Sequence, residues 1–261
     1  MARARTTDGV AIAFEAVGEG PPDVIFLHGY AGSRRYFEET IGHLDLTRLR
    51  AIALDLRGHG DSEEPANGRY ALDDLAGDVL AVADEAGAER FVLVGFSISG
   101  KFAQYVSCLH PERVLGQILV AGTTAAELPM PTELLDDWFA RAGSAEAMVD
   151  MLRPYLTRPV AEPLVERFGQ EAARAPRAAL EGTTNAVTST NFSDRLGASP
   201  VPTLVIGGRR DEFFTPEVLR DGVAGPLGAR LVLLDCGHEV PLEQPLELAA
   251  LIESFLAGLG S

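Results

Sequence analysis

Cysteine is scarce in this chain, and its scarcity excludes a fold held together by disulfide bonds. Cys108 and Cys236 are the only cysteines among 261 residues. Small secreted proteins depend on several bridges, which two cysteines cannot supply. We therefore expect two buried free thiols and a reducing, cytoplasmic location.

Positive charge and long apolar runs are also in short supply. Lysine and arginine total 22 against 38 aspartates and glutamates, a formal net charge of −16. Such a surface repels nucleic-acid phosphates and anionic lipid headgroups. The amino-terminal residues lack the apolar core of a signal peptide, and no apolar run reaches the length of a membrane span. We expect a small-molecule substrate and neither a nucleic-acid nor a membrane partner, and the oligomeric state stays open.

Patterns that hold common cofactors are missing as well. The histidines do not sit at the spacings of metal ligands; they are His28, His43, His59, His110 and His238. Gly18 and Gly20 precede an apolar run, whereas the glycines of a dinucleotide fingerprint follow one. We therefore expect no metal and no cofactor.

What the chain does contain is an alternation of short apolar runs and helical patterns. The composition is 46% hydrophobic and 23% charged, as in an ordinary globular domain with a sizeable core. The runs predicted to be strands are 10–16, 24–27, 51–54, 91–94, 114–120, 203–206 and 231–234. The segments with helical spacing between them include 72–85, 102–109 and 247–256. This order predicts an α/β fold with a mostly parallel central sheet flanked by helices.

One stretch interrupts the alternation. Residues 125–196 contain no strand pattern, and prolines divide them into short amphipathic pieces such as 132–142 and 145–152. We predict a helical insertion over 125–196 in a core domain made of 1–124 and 197–261.

The strand at 91–94 runs into Gly-Phe-Ser-Ile-Ser-Gly at 95–100. A buried strand that turns sharply at a serine between small residues and then enters a helix is typical of a nucleophile elbow, Gly-x-Ser-x-Gly. Ser97 is therefore the candidate nucleophile. Ser99 stands where the pattern has glycine, and we expect it to pack there or to donate a hydrogen bond.

A serine nucleophile needs a histidine base and an acid that orients it. His238 follows the last predicted strand and is the candidate base. The acid should follow the strand at 203–206, where Asp211 is the first choice and Glu212 the close alternative. The non-catalytic interpretation of Asp211 is a pair with a neighbouring arginine or a helix cap.

The negative charge that develops on a substrate oxygen needs backbone N–H donors. One should come from Ile98, directly after the nucleophile. The other should come from Tyr30, in the glycine-rich loop after the strand at 24–27. His28 is expected to brace that loop rather than to take part in chemistry.

These motifs together resemble the α/β-hydrolase superfamily over nearly the whole chain. The resemblance rests on segments 28–33, 55–62, 95–100 and 110–114, on Asp211, and on 237–241. It implies a triad of Ser97, Asp211 and His238 and a helical cap after the sixth strand. His59 is implied to be structural. Haloalkane dehalogenases and epoxide hydrolases of this fold have aspartate at the elbow, so Ser97 argues against both.

The residues near these motifs suggest an apolar pocket. Those beside the triad positions are Phe96, Phe213, Phe214 and Val240, and those in the predicted cap are Trp138, Phe139, Met148, Met151, Tyr155, Phe168 and Phe192. The leading hypothesis is a serine hydrolase that cleaves a small or medium, mostly apolar carboxylic ester or lactone through an acyl-enzyme. The alternatives are C–C bond hydrolysis, cofactor-free haloperoxidase or perhydrolase activity, acyl transfer, and a ligand receptor on the same fold.

Overall fold

A computed structural model of the chain describes residues 1–197 and 201–259. Within these residues one eight-stranded sheet runs in the order β1-β2-β4-β3-β5-β6-β7-β8. The strands are β1 Ala2–Arg5, β2 Ala11–Gly18, β3 Asp23–Leu27, β4 Arg50–Leu54, β5 Phe91–Phe96, β6 Val114–Val120, β7 Thr203–Gly208 and β8 Arg230–Leu234. The pairs β1–β2 and β2–β4 are antiparallel and the other neighbours are parallel, which confirms the predicted mostly parallel sheet.

Helices cover both faces of this sheet. They are α1 Glu38–Gly42, α2 Leu72–Glu85, α3 Ser99–Leu109, α4 Thr132–Ala140, α5 Ala145–Leu152, α6 Glu162–Ala172, α7 Arg177–Thr188, α8 Pro216–Val218, α9 Gly225–Leu227, α10 Val240–Glu243 and α11 Pro245–Leu259. Alternate side chains of β3 point to opposite faces: Ile25 packs in the apolar core that contains α2 and α3, and Phe26 in the one that contains α11. Among the residues described, no helix is both long enough and apolar enough to cross a membrane.

The seven predicted strands are all present, and the predicted helices lie within three residues of their observed bounds. The strand β1 was not predicted. It is a short edge strand in which only Ala4 is buried, so its sequence carries little apolar signal. Helix α3 begins at Ser99, three residues earlier than expected, because the chain enters the helix directly from the turn at Ser97.

Helices α4 to α7 occupy the helical segment, which we define as residues 125–196 between β6 and β7. The described residues of this segment contain no strand, as expected. Residues 198–200 and 260–261, which belong to the predicted core range 197–261, lie outside the described residues.

His28 braces the sheet edge where β3 and β4 end. The backbone N–H of Leu56 donates to its Nε2 at 3.0 Å, so Nδ1 carries the proton and donates to the Gly29 carbonyl at 2.8 Å. The ring of His59 lies 5.3 Å away, and its Nδ1 contacts the Arg57 carbonyl at 3.0 Å. Burial lowers the pKa of His28 to about 4 and that of His59 to about 3, so both rings are neutral at pH 7.

Lys101 links α3 to both ends of the helical segment. It is the only lysine in the chain and its side chain is fully buried. Its Nζ donates to the carbonyl oxygens of Ala126, Val187 and Thr190 at 2.5 to 2.7 Å. The first carbonyl precedes α4 and the other two lie at the end of α7 and just beyond it. One ammonium group therefore holds the start and the end of the segment against the helix that follows Ser97.

The buried histidines should make the protein sensitive to mild acid. A histidine in the unfolded chain has a pKa of 6.5, whereas these two rings have lower pKa values in the folded protein. Between the two pKa values the unfolded chain therefore binds more protons than the folded chain, and the folded state loses stability as pH falls. We expect the two residues to lower the free energy of unfolding, as pH falls through about 5, by about 1.4 kcal/mol per pH unit per histidine. Urea unfolding from pH 7 to 4 measures this slope. His28→Asn should reduce this slope by the contribution of one histidine, about 1.4 kcal/mol per pH unit, and His43→Asn, at an exposed position, should leave the slope unchanged. Equal slopes in the parent and both variants would contradict the assignment.

Replacing Lys101 should loosen the helical segment. Lys101→Met removes the ammonium donor and leaves buried carbonyls without a partner, which we expect to lower the free energy of unfolding by about 2 kcal/mol. The segment should also be cut sooner by a protease under native conditions. Leu109→Met, near the exposed end of the same helix, is the control and should change stability by less than about 0.5 kcal/mol. A Lys101→Met protein as stable and as resistant as the parent would show that the contacts contribute nothing.

Candidate active site

Ser97 occupies the turn between β5 and α3 in a strained backbone conformation. Its φ is +53°, in the left-handed region that residues with a side chain seldom adopt. The surrounding backbone holds it there: its N–H donates to the Val120 carbonyl at 2.9 Å, and its carbonyl accepts from the Gly100 N–H at 3.0 Å. This turn is the predicted elbow.

Close packing explains the small residues around Ser97. A Cβ at Gly95 would lie 2.4 Å from the Ser99 carbonyl oxygen, and one at Gly100 would lie 2.7 Å from the Gly122 Cα. At position 99 a side chain does fit. The Ser99 hydroxyl is buried and donates to the His28 carbonyl, so the departure from the glycine pattern introduces a hydrogen bond from the elbow to the neighbouring loop.

The structure brings Ser97, His238 and Asp211 together. Nε2 of His238 lies 3.0 Å from Ser97 Oγ, and its Nδ1 lies 2.8 Å from Asp211 Oδ2. A carboxylate only accepts, so Nδ1 carries the proton and Nε2 is free to accept one from the serine. Glu212, the alternative acid, is exposed to solvent. Asp235, which directly follows β8, forms an ion pair with Arg210 at 2.8 Å.

Asp211 is ionised where it lies. Burial by itself raises the pKa of a carboxyl, but the hydrogen bond from His238 and the amides of Phe214 and Phe213 hold the pKa of Asp211 below its usual value. Those amides donate to Oδ1 at 2.9 and 2.8 Å, leaving Oδ2 for His238. The carboxylate is therefore oriented as well as charged.

Among the described residues, the backbone N–H groups of Tyr30 and Ile98, the two predicted oxyanion donors, are not used in hydrogen bonds of the fold. Tyr30 lies between Gly29, where a Cβ would come within 2.7 Å of the Phe96 ring, and Ala31, whose φ is +52°. Such a tight loop exposes its amides, and Ile98 presents its own at the start of α3.

A mostly apolar cleft opens onto Ser97 and His238. It is lined by Gly29, Tyr30, Tyr36, Phe96, Ser97, Ile98, Leu128, Met130, Trp138, Met151, Leu152, Tyr155, Phe168, Thr184, Val187, Thr188, Phe213, Phe214, His238 and Glu239. Of the pocket residues predicted from sequence, seven lie here: Phe96, Trp138, Met151, Tyr155, Phe168, Phe213 and Phe214.

Phe139 and Val240 are not in this lining, and the expectation for them needs correction. Trp138 and Phe139 are consecutive on α4, so their side chains point in directions about 100° apart. Trp138 faces the cleft. The Arg177 guanidinium lies over the Phe139 ring, with 5.9 Å between its Cζ and the ring centroid. Val240 is fully buried in the apolar core. Met148 and Phe192, also considered in the sequence, are core residues too.

Polar residues of the cleft were missed by the sequence analysis. Tyr36 comes from the turn before α1, Thr184 and Thr188 come from α7, and Glu239 directly follows His238. Glu239 carried a signal, since it adjoins the candidate base. The other three carried none, because no motif connects them with the elbow.

Comparison with known proteins agrees with this geometry. A family model described as alpha/beta hydrolase fold matches residues 22–245. A 2-hydroxy-6-oxononadienedioate/2-hydroxy-6-oxononatrienedioate hydrolase of Klebsiella pneumoniae is 30% identical over 258 residues, which cover 92% of this chain and 88% of that protein.

Two similar solved structures extend over almost the whole chain. A thermophilic esterase from Thermogutta terrifontis is 25% identical with a TM-score of 0.84, covering 100% of this chain and 99% of its own. A hydrolase from Pseudomonas aeruginosa PA01 is 26% identical with a TM-score of 0.85, covering 98% and 97%. The strained serine turn, the sheet order and these matches lead to one conclusion: the chain belongs to the alpha/beta hydrolase family.

Proposed function

We propose that this protein is a serine hydrolase that cleaves small or medium, mostly apolar carboxylic esters or lactones. The observation that carries the proposal is the continuous contact from Ser97 through His238 to Asp211, at 3.0 and 2.8 Å, with Ser97 and His238 in the lining of a mostly apolar cleft. The esterase from Thermogutta terrifontis, a structural relative, supports the same reaction class.

The reaction would proceed in two halves. Ser97 Oγ attacks the acyl carbonyl carbon while its proton passes to His238 Nε2, and the negative oxygen is held by the amides of Tyr30 and Ile98. The ester C–O bond then breaks, and His238 gives the proton to the departing alcohol. In the second half His238 takes a proton from water, the hydroxide releases the acyl group as an acid, and Ser97 recovers its proton. Asp211 stays ionised and keeps His238 in the required tautomer.

The cleft supports an uncharged substrate. Among the described lining residues there is no arginine or lysine, and the aromatic side chains surround His238, with ring centroids of Phe96, Phe214 and Tyr155 at 5.3, 5.6 and 6.2 Å. A carboxylate placed among them would lose its hydration without gaining a cationic partner.

A second candidate is hydrolysis of a C–C bond. The Klebsiella relative supports it, since the substrate in its name is a dicarboxylate without an ester. The described lining contains no arginine or lysine that could pair with a dicarboxylate, so it favours neutral esters over such a dianion. Turnover of a neutral ester, without turnover of a hydroxy-oxo-dicarboxylate, is the result that separates the two reactions.

The triad is tested by single substitutions assayed with p-nitrophenyl butanoate. Ser97→Ala should lower kcat by about 1000-fold or more, and Asp211→Asn by about 100-fold or more, because each removes a group that acts only with the other two. Ser107→Ala, at a buried serine of α3, and Glu212→Gln are matched controls that should keep parental activity. A fluorophosphonate should label the parent at Ser97. Parental turnover by Ser97→Ala would refute the proposal, and a missing adduct together with missing turnover would favour a ligand receptor.

The hydrogen bond from Ser99 to the His28 carbonyl should support the oxyanion donors. Ser99→Ala keeps the small volume but frees the loop that carries the Tyr30 amide, so we expect kcat to fall about fivefold with KM nearly unchanged. Steady-state kinetics on the same ester measure both constants. A rise in KM with constant kcat would mean that the bond shapes substrate binding instead.

A further inference from the structure

Glu239 is a carboxyl group inside the cleft that the proposed mechanism does not use. It follows His238 in the chain, lines the same cleft and is only 7% exposed. Its Oε2 accepts a hydrogen bond from the Tyr36 hydroxyl. Its other oxygen, Oε1, has no hydrogen-bond partner among the described residues. A buried carboxyl with one oxygen fixed and the other free is an unusual component of an otherwise apolar wall.

The wall around this pair is rigid and aromatic. The Tyr36 ring stacks on the Phe96 ring at 5.1 Å with 14° between the planes, and the Phe168 ring meets it edge-on at 5.4 Å. Phe96 also contacts the His238 ring at 5.3 Å. The Phe96 ring therefore lies between the Tyr36–Glu239 pair and His238. A substrate bound at Ser97 in the same cleft can reach the pair.

The charge state of Glu239 follows from its surroundings. Burial, and to a smaller extent the negative charge of Glu243 one turn along α10, raise the pKa of Glu239 to about 8. The other titratable groups next to it are Tyr36 and His238; the side chains of Phe96 and Phe168 carry no charge. At pH 7 the carboxyl keeps its proton. Since Oε2 already accepts from Tyr36, the proton resides on Oε1, which can donate it to a ligand.

We propose that Glu239, oriented by Tyr36, is a specificity-determining residue that donates a hydrogen bond to an uncharged acceptor on the substrate, such as a second carbonyl oxygen. The preferred substrates would then be neutral esters that carry a keto or similar group a few bonds from the scissile carbonyl. This inference rests on the proposed ester-binding function of the cleft and adds a substrate class to it.

The test measures binding apart from catalysis. The Ser97→Ala protein is titrated by calorimetry with ethyl hexanoate and with ethyl 5-oxohexanoate and ethyl 4-oxohexanoate, which differ from it by one oxo group. At pH 7 we expect at least one oxo ester to bind about five- to tenfold more tightly than the hydrocarbon ester. At pH 9, where Glu239 is ionised and Oε1 can no longer donate, the preference should disappear.

Substitutions in the same background assign the preference to a residue. Glu239→Met should abolish it, and Tyr36→Phe should reduce it because Oε2 loses its donor. Glu239→Gln still offers N–H donors, so it should keep the preference at pH 7 and retain it at pH 9. Thr184→Val removes a different buried hydroxyl of the cleft, which has no hydrogen-bond partner among the described residues, and should leave the ratio of affinities unchanged.

The outcomes separate this inference from the proposed function. Equal binding of all the esters, or an oxo preference that survives Glu239→Met or is lost in Thr184→Val, overturns the role of Glu239. Ser97-dependent hydrolysis of p-nitrophenyl butanoate would still uphold the hydrolase. An oxo preference abolished by Glu239→Met in a protein whose parent shows no Ser97-dependent hydrolysis would support the binding role and overturn the proposed reaction.

Discussion

The left-handed backbone conformation at Ser97 is the constraint on which the rest of the site depends. It raises a side chain above the end of β5, and it requires α3 to begin at once and to pack closely against the neighbouring strand. That packing leaves no room for a Cβ at Gly95 or Gly100. The buried Lys101 then joins α3 to both ends of the helical segment. The same helix therefore holds both the turn at Ser97 and the segment that supplies part of the cleft lining.

Buried hydrogen bonds extend the constraint from the elbow to the adjacent loop. The Ser99 hydroxyl donates to the backbone of His28, and the His28 ring joins Gly29 to Leu56. The arrangement works only while the imidazole is neutral, because a protonated ring could not accept from the Leu56 amide. Burial supplies that condition by lowering the pKa of His28. The position of the Tyr30 amide thus depends on the protonation of a residue with no part in the proposed chemistry.

Two carboxyl groups near His238 show how surroundings divide acids of similar intrinsic strength. Asp211 receives the His238 ring and two backbone amides, which hold its pKa below the usual value despite burial. Glu239 receives one hydroxyl, from Tyr36, and burial raises its pKa to about 8. One acid is therefore a fixed negative charge and the other a neutral donor. A sequence that places Asp and Glu near a histidine does not show which carboxyl is ionised and which is protonated. That difference depends on the number of hydrogen-bond donors around each carboxyl, and the tertiary structure brings those donors together.

The sequence by itself determined seven of the eight strands, the mostly parallel sheet, and Ser97 and His238 as candidate triad residues. Buried parallel strands are continuous apolar runs, and their carboxyl ends share one sheet edge, so residues that follow different strands are expected to meet there. Only the tertiary structure placed Asp211, and not Glu212, beside His238, since a one-residue difference in a loop leaves no trace in the pattern. It alone assigned Trp138 to the cleft and its neighbour to the core, and it alone joined Tyr36 to a carboxyl 203 residues away. Contacts across such separations depend on how whole elements pack, which periodicity and local motifs do not encode.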